Sequence, residues 1–559
     1  MCGFIGWISK ETIGDNLLER ARTFIVRRGP DAQGLWRSRD KHVGILHRRL
    51  AIVDKDPRAN QPFCDPQSGL TVAFAGEIYN FRELKKQSSS FRFRTESDTE
   101  VIIAVFKQYG IEGLSLLKGM FSLAIIDEKN NKIILSRGPI GKVPLYLARW
   151  QDNVFFGVSA LALTALNNKP VGINDEMVPY YWENAYIHPA ASVLSGVRPV
   201  LPGWVLELDW QGNVIKELWL QPKKERIYYG ESPERVNLEV GELLKQAVRL
   251  RLEDNPKPTV LLSGGIDSTL ICKIASDICK ENSRVLEVIT LRSLVPLTQD
   301  EAYARFAARR MNLALRLLRL DLKNMPASVV RAIDLQDEPL GMPSFFLLER
   351  LIHAVSARSR IVLSGDGGDE LFLGYGRPAD WQAKEINEST GTAQTNYGLE
   401  VSPWMSDWAK KAITEDLVGH MLAKADRASA EQGVEMRCPF LDADLINYAR
   451  SLPFEVLVAG GQTKALLKEQ LNDWPQWFLG RPKLGFAYNL RWHWALSNYS
   501  GLRESIDKTA IETFSPYLPL PLRLPAYKWR LTDIFANFEA AWRLLAWSRF
   551  LERLKRAGS

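Results

Sequence analysis

The second residue of the chain is a cysteine, and a small residue there normally permits removal of the methionine ahead of it. Cys2 would then carry a thiol and a free α-amine on one residue. Such an amine titrates near pH 7.7–8.0, so it can act as base for its own nucleophile. A second chemistry is written in Ser263-Gly264-Gly265-Ile266-Asp267-Ser268. Its glycines let backbone approach a phosphate chain, and amides opening the next helix point at it with favourable dipole sense. The spacing is not that of a Walker loop, which needs GxxxxGK[ST]. A third segment, Ser364-Gly365-Asp366-Gly367-Gly368-Asp369-Glu370-Leu371-Phe372, sets three acids among glycines, which suits either a solvated turn or a place where carboxylates meet metal-bound phosphates.

Each segment needs an element to hold it. The first 210 residues or so alternate short apolar runs with turns, among them Val43–Leu46, Leu70–Phe74 and Phe121–Ile126, and read as β-rich. Helical periodicity shows around Glu100–Tyr109. The polar stretch Pro222–Glu234 reads as a linker. From Arg235 a helical pattern runs through ELLKQAVRLRL into the strand Thr259–Leu262, which delivers the SGGIDS loop. Strand Ile361–Leu363 delivers the acidic loop in the same way, and helices alternate with strands as in a parallel α/β sheet. Asn387–Asn396 is small and polar and is expected to be a loop. From Trp529 to Arg556 the chain is helical, aromatic and basic, and Trp529, Trp542 and Trp547 are expected to dock the helix, with a peptide-binding groove as the alternative. Cys272 and Cys279, seven apart on one helix, are expected in the core.

A length of 559 residues calls for two to four domains. With 46% hydrophobic and 25% charged residues, the composition is that of a globular protein. No apolar run reaches the roughly 18 residues of a membrane span, and MCGFIGWISK lacks the regions of a signal peptide. The five cysteines form no CxxC pair and the six histidines show no ligand spacing, so no zinc site or disulfide framework is indicated. A reduced, cytoplasmic setting follows. The net charge of +7 is spread among interleaved acids without a basic stripe, so nucleic acid is not an expected partner.

In order behind Cys2 come Arg27-Arg28-Gly29-Pro30-Asp31, His47–Asp54 (HRRLAIVD), Gly76-Glu77-Ile78-Tyr79-Asn80 and Ser97-Asp98-Thr99-Glu100. Together they resemble the class II glutamine amidotransferase domain, an N-terminal-nucleophile hydrolase fold of αββα layers. The SGGIDS loop resembles that of the ATP pyrophosphatases, which cleave ATP between its α and β phosphates. With the acidic loop, Asp426-Arg427, Glu435-Met436-Arg437-Cys438-Pro439-Phe440-Leu441-Asp442 and Arg481-Pro482-Lys483-Leu484-Gly485-Phe486, the second half resembles the synthetase domain of the asparagine synthetases. The expected division is an amidotransferase domain over 1–215, a linker over 216–234 and a parallel α/β nucleotide-binding domain over 235–559.

The resemblance implies roles. Cys2 attacks the glutamine side-chain amide. Arg49 holds the glutamine α-carboxylate with its planar fork, Asp98 pairs with the α-ammonium, and Leu50, Ile52, Val53, Gly76 and Glu77 line the pocket. Leu262, Ser263, Gly264, Gly265, Asp267, Ser268, Leu291, Ser364, Gly365 and Lys464 border ATP, with Asp267 and Asp369 on Mg²⁺. Asp366 and Glu435 join the catalytic set with Lys483, which neutralises phosphate charge. Lys464 alone, read within TKALLKEQL, would be a solvated helix lysine. Implied partners are glutamine or ammonia and aspartate or another carboxylate. A precursor peptide and a homodimer are left open.

Two departures matter. Where the family reads Asn-Gly-Glu-Ile-Tyr-Asn, with the first Asn donating to the oxyanion, this chain has Ala75. Losing such a donor typically costs about 10²–10³ in rate. The family's Arg-Asp-Pro-Phe-Gly reads Arg137-Gly138-Pro139-Ile140-Gly141. A slow glutaminase is expected. Ala75, Gly138 and Glu431-Gln432-Gly433 keep a second reading open, a macrolactam-forming cyclase with a vestigial glutaminase. The β-lactam branch carries tyrosine where this chain has Asp366 and is disfavoured.

Overall fold

The computed structural model describes residues 1–220, 227–253, 255–292, 299–321, 323–382, 393–394, 400–401, 405–481, 490 and 503–558. Strand β1 (Gly3–Ile8) is buried along its whole length, because the sheet that contains it is covered on both faces. Helix α1 (Asp15–Thr23) is followed by β2 (Ala32–Arg37) and β3 (Val43–Arg49), and then by β4 (Phe63–Asp65) and β5 (Leu70–Ile78). Next come α2 (Phe81–Gln87), α3 (Thr99–Tyr109), β6 (Gly119–Asp127), β7 (Lys132–Arg137), β8 (Tyr146–Trp150) and β9 (Asn153–Gly157). Helices α4 (Ala160–Asn167) and α5 (Met177–Asn184) precede β10 (Val197–Pro199), β11 (Trp204–Asp209) and β12 (Val214–Trp219).

The twelve strands form two six-stranded antiparallel sheets, ordered β10-β8-β9-β1-β3-β2 and β12-β11-β7-β6-β5-β4. Helix α4 packs on the first sheet with α1 beside it, and α3 on the second with α2 beside it, which gives the expected αββα layers. Strand β12 runs to Trp219, so the stretch read as linker from residue 216 begins as strand.

Helix α6 (Pro233–Leu252), N-capped by Ser232, leads into β13 (Thr259–Leu261). Helix α7 (Ile266–Glu281), β14 (Glu287–Leu291), α8 (Gln299–Arg310) and β15 (Leu315–Leu318) follow. Then come α9 (Met325–Ile333), α10 (Ser344–Ser356), β16 (Ile361–Leu363) and the short α11 (Gly368–Leu371). A small antiparallel pair, β17 (Ala393–Gln394) and β18 (Glu400–Val401), lies at the expected loop, most of which is outside the described residues. Strand β19 (Glu435–Arg437) completes a parallel sheet in the order β15-β14-β13-β16-β19. Strand order reverses beside β13, so a crevice opens at the carboxyl ends of β13 and β16. Both glycine loops leave the sheet there.

The C-terminal segment is less regular than its composition suggested. Short turns and the helix Leu531–Ala536 precede the long helix Phe538–Gly558, with Asn537 at the break. Trp529, Trp542 and Trp547 are buried, and Trp547 meets Tyr181 of α5 at 5.2 Å between ring centroids. This helix packs back on the amino-terminal layers, so one apolar cluster runs from β1 through α4 to Phe550. Among the described residues no helix is long and apolar enough to cross a membrane.

Candidate active sites

Cys2 sits at the entry to β1 with its thiol turned inward. Its Sγ accepts the Leu50 N–H at 3.3 Å and lies 3.7 Å from the Leu50 carbonyl. Burial pushes the thiol up, and the terminal amine beside it pulls the other way. The Met1 amine is itself pulled down to about 6 by burial, so it is largely neutral at pH 7. Loss of Met1 would pass the terminal amine to Cys2 in these surroundings. Arg28, whose role the sequence did not reveal, donates from Nε to the Cys2 carbonyl at 3.2 Å. Its two Nη atoms fork onto Asp426 at 2.8 and 3.0 Å, in a pair buried between the halves of the chain.

Arg49 closes β3, and its fork pins the following loop. Nη1 donates to the Asp56 carbonyl at 3.0 Å and to Asn60 Oδ1 at 2.8 Å, and Nη2 donates to the Asp54 carbonyl. Three of its five N–H groups are thereby used, and Nε and one Nη2 hydrogen remain for a ligand. Ile52 and Val53 lie half-buried in that loop.

Asp98 starts α3 with its carboxylate buried, and Oδ2 accepts the Ile78 N–H at 3.2 Å. Burial pushes it up to about 7, and the charge of Glu435 adds to the rise. A carboxylate in such a place is stabilised by a cation, which is what an α-ammonium supplies.

Ala75 lies fully buried on β5, paired with Ser122, with Gly76 opposite Phe121. Arg137, whose family neighbour is aspartate, donates instead to the carbonyls of Val143, Val200 and Gly141 at 3.0, 3.0 and 2.5 Å.

The second site is built where two glycine loops interlock. Gly264 has φ +75°, and a Cβ there would come within 2.4 Å of the Ala304 nitrogen, so only glycine fits. A Cβ on Gly365 would approach the Ser268 nitrogen to 2.8 Å, so the loops touch backbone to backbone. Ser263 and Ser268 hydroxyls meet at 3.0 Å. Leu262 and Leu291 are buried at the ends of β13 and β14, where Leu262 N donates to the Ile289 carbonyl.

Asp267 and Asp369 converge on one cation, the Lys464 ammonium, 2.5 Å from an oxygen of each. Lys464 is not the solvated helix residue its segment suggested. It is 5% exposed, has φ +56° and precedes the helix Ala465–Glu469. Burial works to lower its pKa, and the two carboxylates reverse the sign and raise it. Two buried carboxylates that already share a cation are hard oxygen donors of the type Mg²⁺ takes.

Arg481, also unassigned by sequence, anchors the SGGIDS loop. Its Nη1 donates to the Gly264 carbonyl at 2.6 Å, Nη2 pairs with Asp300 at 2.7 Å, and the guanidinium stacks over Tyr303. Lys483 lies outside the described residues.

One strand joins the two sites. At its start, Glu435 bears electrostatically on Asp98, Cys2 and the terminal amine. Arg437 pairs with Glu435 at 2.6 Å and with Glu77 at 3.1 Å, all three buried. Glu435 thus faces the thiol side. Immediately after β19, Cys438 Sγ is 3.5 Å from Ser364 Oγ, which reaches Asp366 at 3.1 Å.

Comparison with known proteins matches this layout. The glutamine amidotransferase domain family matches residues 1–219. The family described as asparagine synthase matches 239–519, half of the chain. The chain belongs to the asparagine synthase family. It is 24% identical to asparagine synthetase [glutamine-hydrolyzing] 1 of Bacillus subtilis over 88% of both chains. It is 27% identical to asparagine synthetase [glutamine-hydrolyzing] 2 of the same organism, over 87% of this chain and 72% of that one. The amidase chry2 of Gibberella zeae is 28% identical over 64% of this chain and 55% of that protein. As a member of this family the chain is an ATP-dependent carbon–nitrogen ligase with a fused amidotransferase domain.

Proposed function

We propose that the protein is a glutamine-hydrolysing asparagine synthetase, with residues 1–215 releasing ammonia and residues 235–559 activating aspartate. The observation that carries this reading is β19. Its Arg437 pairs with Glu435 and with Glu77 of the glutamine pocket, and Cys438 just beyond it lies 3.5 Å from Ser364 Oγ, which supports two sites coupled through one strand. An enzyme that closes a lactam has no use for such a link, because the attacking amine already belongs to its substrate.

In this reading Cys2 attacks the glutamine amide carbon, ammonia leaves, and water hydrolyses the thioester to glutamate. Arg49 and Asp98 hold the two ends of the amino acid. At the second site the aspartate β-carboxylate attacks the α phosphorus of ATP, and pyrophosphate departs. Ammonia then attacks the acyl carbon and AMP leaves. Asp267 and Asp369 would hold Mg²⁺, which supplies charge neutralisation on the leaving pyrophosphate. Lys464 keeps those two acids together, and Arg481 keeps the SGGIDS loop in register with them.

The test is product analysis with ATP, Mg²⁺, aspartate and either glutamine or ammonium. AMP and pyrophosphate should form with both nitrogen donors. Cys2→Ala should remove the glutamine-driven reaction and spare the ammonium-driven one. AMP formation that ignores aspartate and both donors, yet responds to a peptide, would replace this reading with the cyclase.

A further inference from the structure

Lys142 follows the Arg137–Gly141 turn and is 2% exposed. Among the described residues its Nζ has one hydrogen-bonding partner, the Met120 sulfur at 3.5 Å, which is a weak acceptor. A buried ammonium ordinarily has a carboxylate at hand, because desolvating it alone is costly.

Lys142 lines an open cleft between the two halves, whose unfilled space, counted together with the solvent at its mouth, is about 520 Å³. Both acids of that cleft are committed elsewhere. Asp426 takes the fork of Arg28. Glu338 accepts from the Tyr146 hydroxyl at 2.7 Å, Ser192 at 2.8 Å and the Val193 N–H at 3.0 Å, and it faces Arg427 at 3.5 Å. Arg137 is occupied by three carbonyls, and His188, pulled down by burial, adds no cation at neutral pH. Among the described residues of the cleft, Lys142 is the cation that has neither a carboxylate nor a carbonyl oxygen as partner. The mouth, at His188, Pro189 and Ala191, is half-buried and open to entry.

We propose that this cleft binds a small monocarboxylate whose oxygens pair with Lys142. Ile187, Leu340 and Val418 offer an apolar wall to its stem. The fixed charges of Glu338 and Asp426 disfavour a doubly charged anion in the same space.

The test is thermal unfolding of the full-length protein in sodium propionate against sodium sulfate at matched ionic strength. Wild type is compared with Lys142→Met and Lys142→Arg. Propionate should raise the midpoint of wild type and Lys142→Arg by about 2–4 °C more than that of Lys142→Met. Without propionate, Lys142→Met should melt above wild type, because an uncompensated buried charge has gone. If Lys142→Met does not fold, Lys142→Gln is read in its place. An equal propionate shift with and without the lysine would overturn the site. A lysine-dependent shift as large in sulfate as in propionate would overturn the monocarboxylate assignment.

Discussion

Replacing Lys464 by methionine removes one charge and keeps the stem. In the native arrangement the ammonium stands 2.5 Å from Asp267 and 2.5 Å from Asp369, with all three side chains at most 10% exposed. Without it two buried carboxylates face each other. Breaking a buried pair costs about 3–5 kcal/mol. At about 2–4 °C per kcal/mol, that is a fall of about 6–20 °C in the midpoint of the carboxy-terminal transition.

The pH dependence has a definite sign. In wild type the raised pKa of Lys464 means its contribution is present below the ordinary lysine value and is lost only as pH rises beyond it. In the variant the two acids repel, so their folded pKa values rise above the unfolded ones. Proton uptake then relieves the repulsion at low pH, and the deficit against wild type should widen between pH 5 and pH 8. Mg²⁺ should restore more stability to the variant than it adds to wild type, since a cation is what the acids have lost. The assay is scanning calorimetry at three pH values with and without Mg²⁺. A variant within about 1 kcal/mol of wild type at pH 7 without Mg²⁺, or a deficit that shrinks as pH rises, would refute the argument.

Ala75→Asn should raise glutamine hydrolysis by up to about 10²-fold, by returning an oxyanion donor to β5; steady-state glutamate release measures this, and no gain would mean that another group already fills that role. Asp98 must be ionised to hold an ammonium, so kcat/KM for glutamine should fall as pH drops below about 7, while Asp98→Asn should flatten that limb; an acid limb unchanged in the variant would assign the titration to another group.

Much of the site was legible because its parts are contiguous. A strand, a glycine loop and a helix that follow one another along the chain declare SGGIDS without any tertiary information, and the acidic loop after β16 does the same. Cys2 declared itself by its position, and α6 and the buried strands by their apolar periodicity. What the chain could not show locally is which distant charges meet. Lys464 lies 197 residues from Asp267, and Arg28 lies 398 from Asp426. Helical periodicity made Lys464 look solvated, whereas packing of the residues before Ala465 turns it inward onto two acids. The family resemblance put Glu435 with the catalytic residues, and the fold brings its charge to bear on Cys2 and Asp98, more than 300 residues away along the chain. The sequence by itself determined which local frames exist and which chemistries they carry. Only the tertiary structure decided how those frames share charges, because an ion pair depends on separation in space and burial, and neither is written in spacing along the chain.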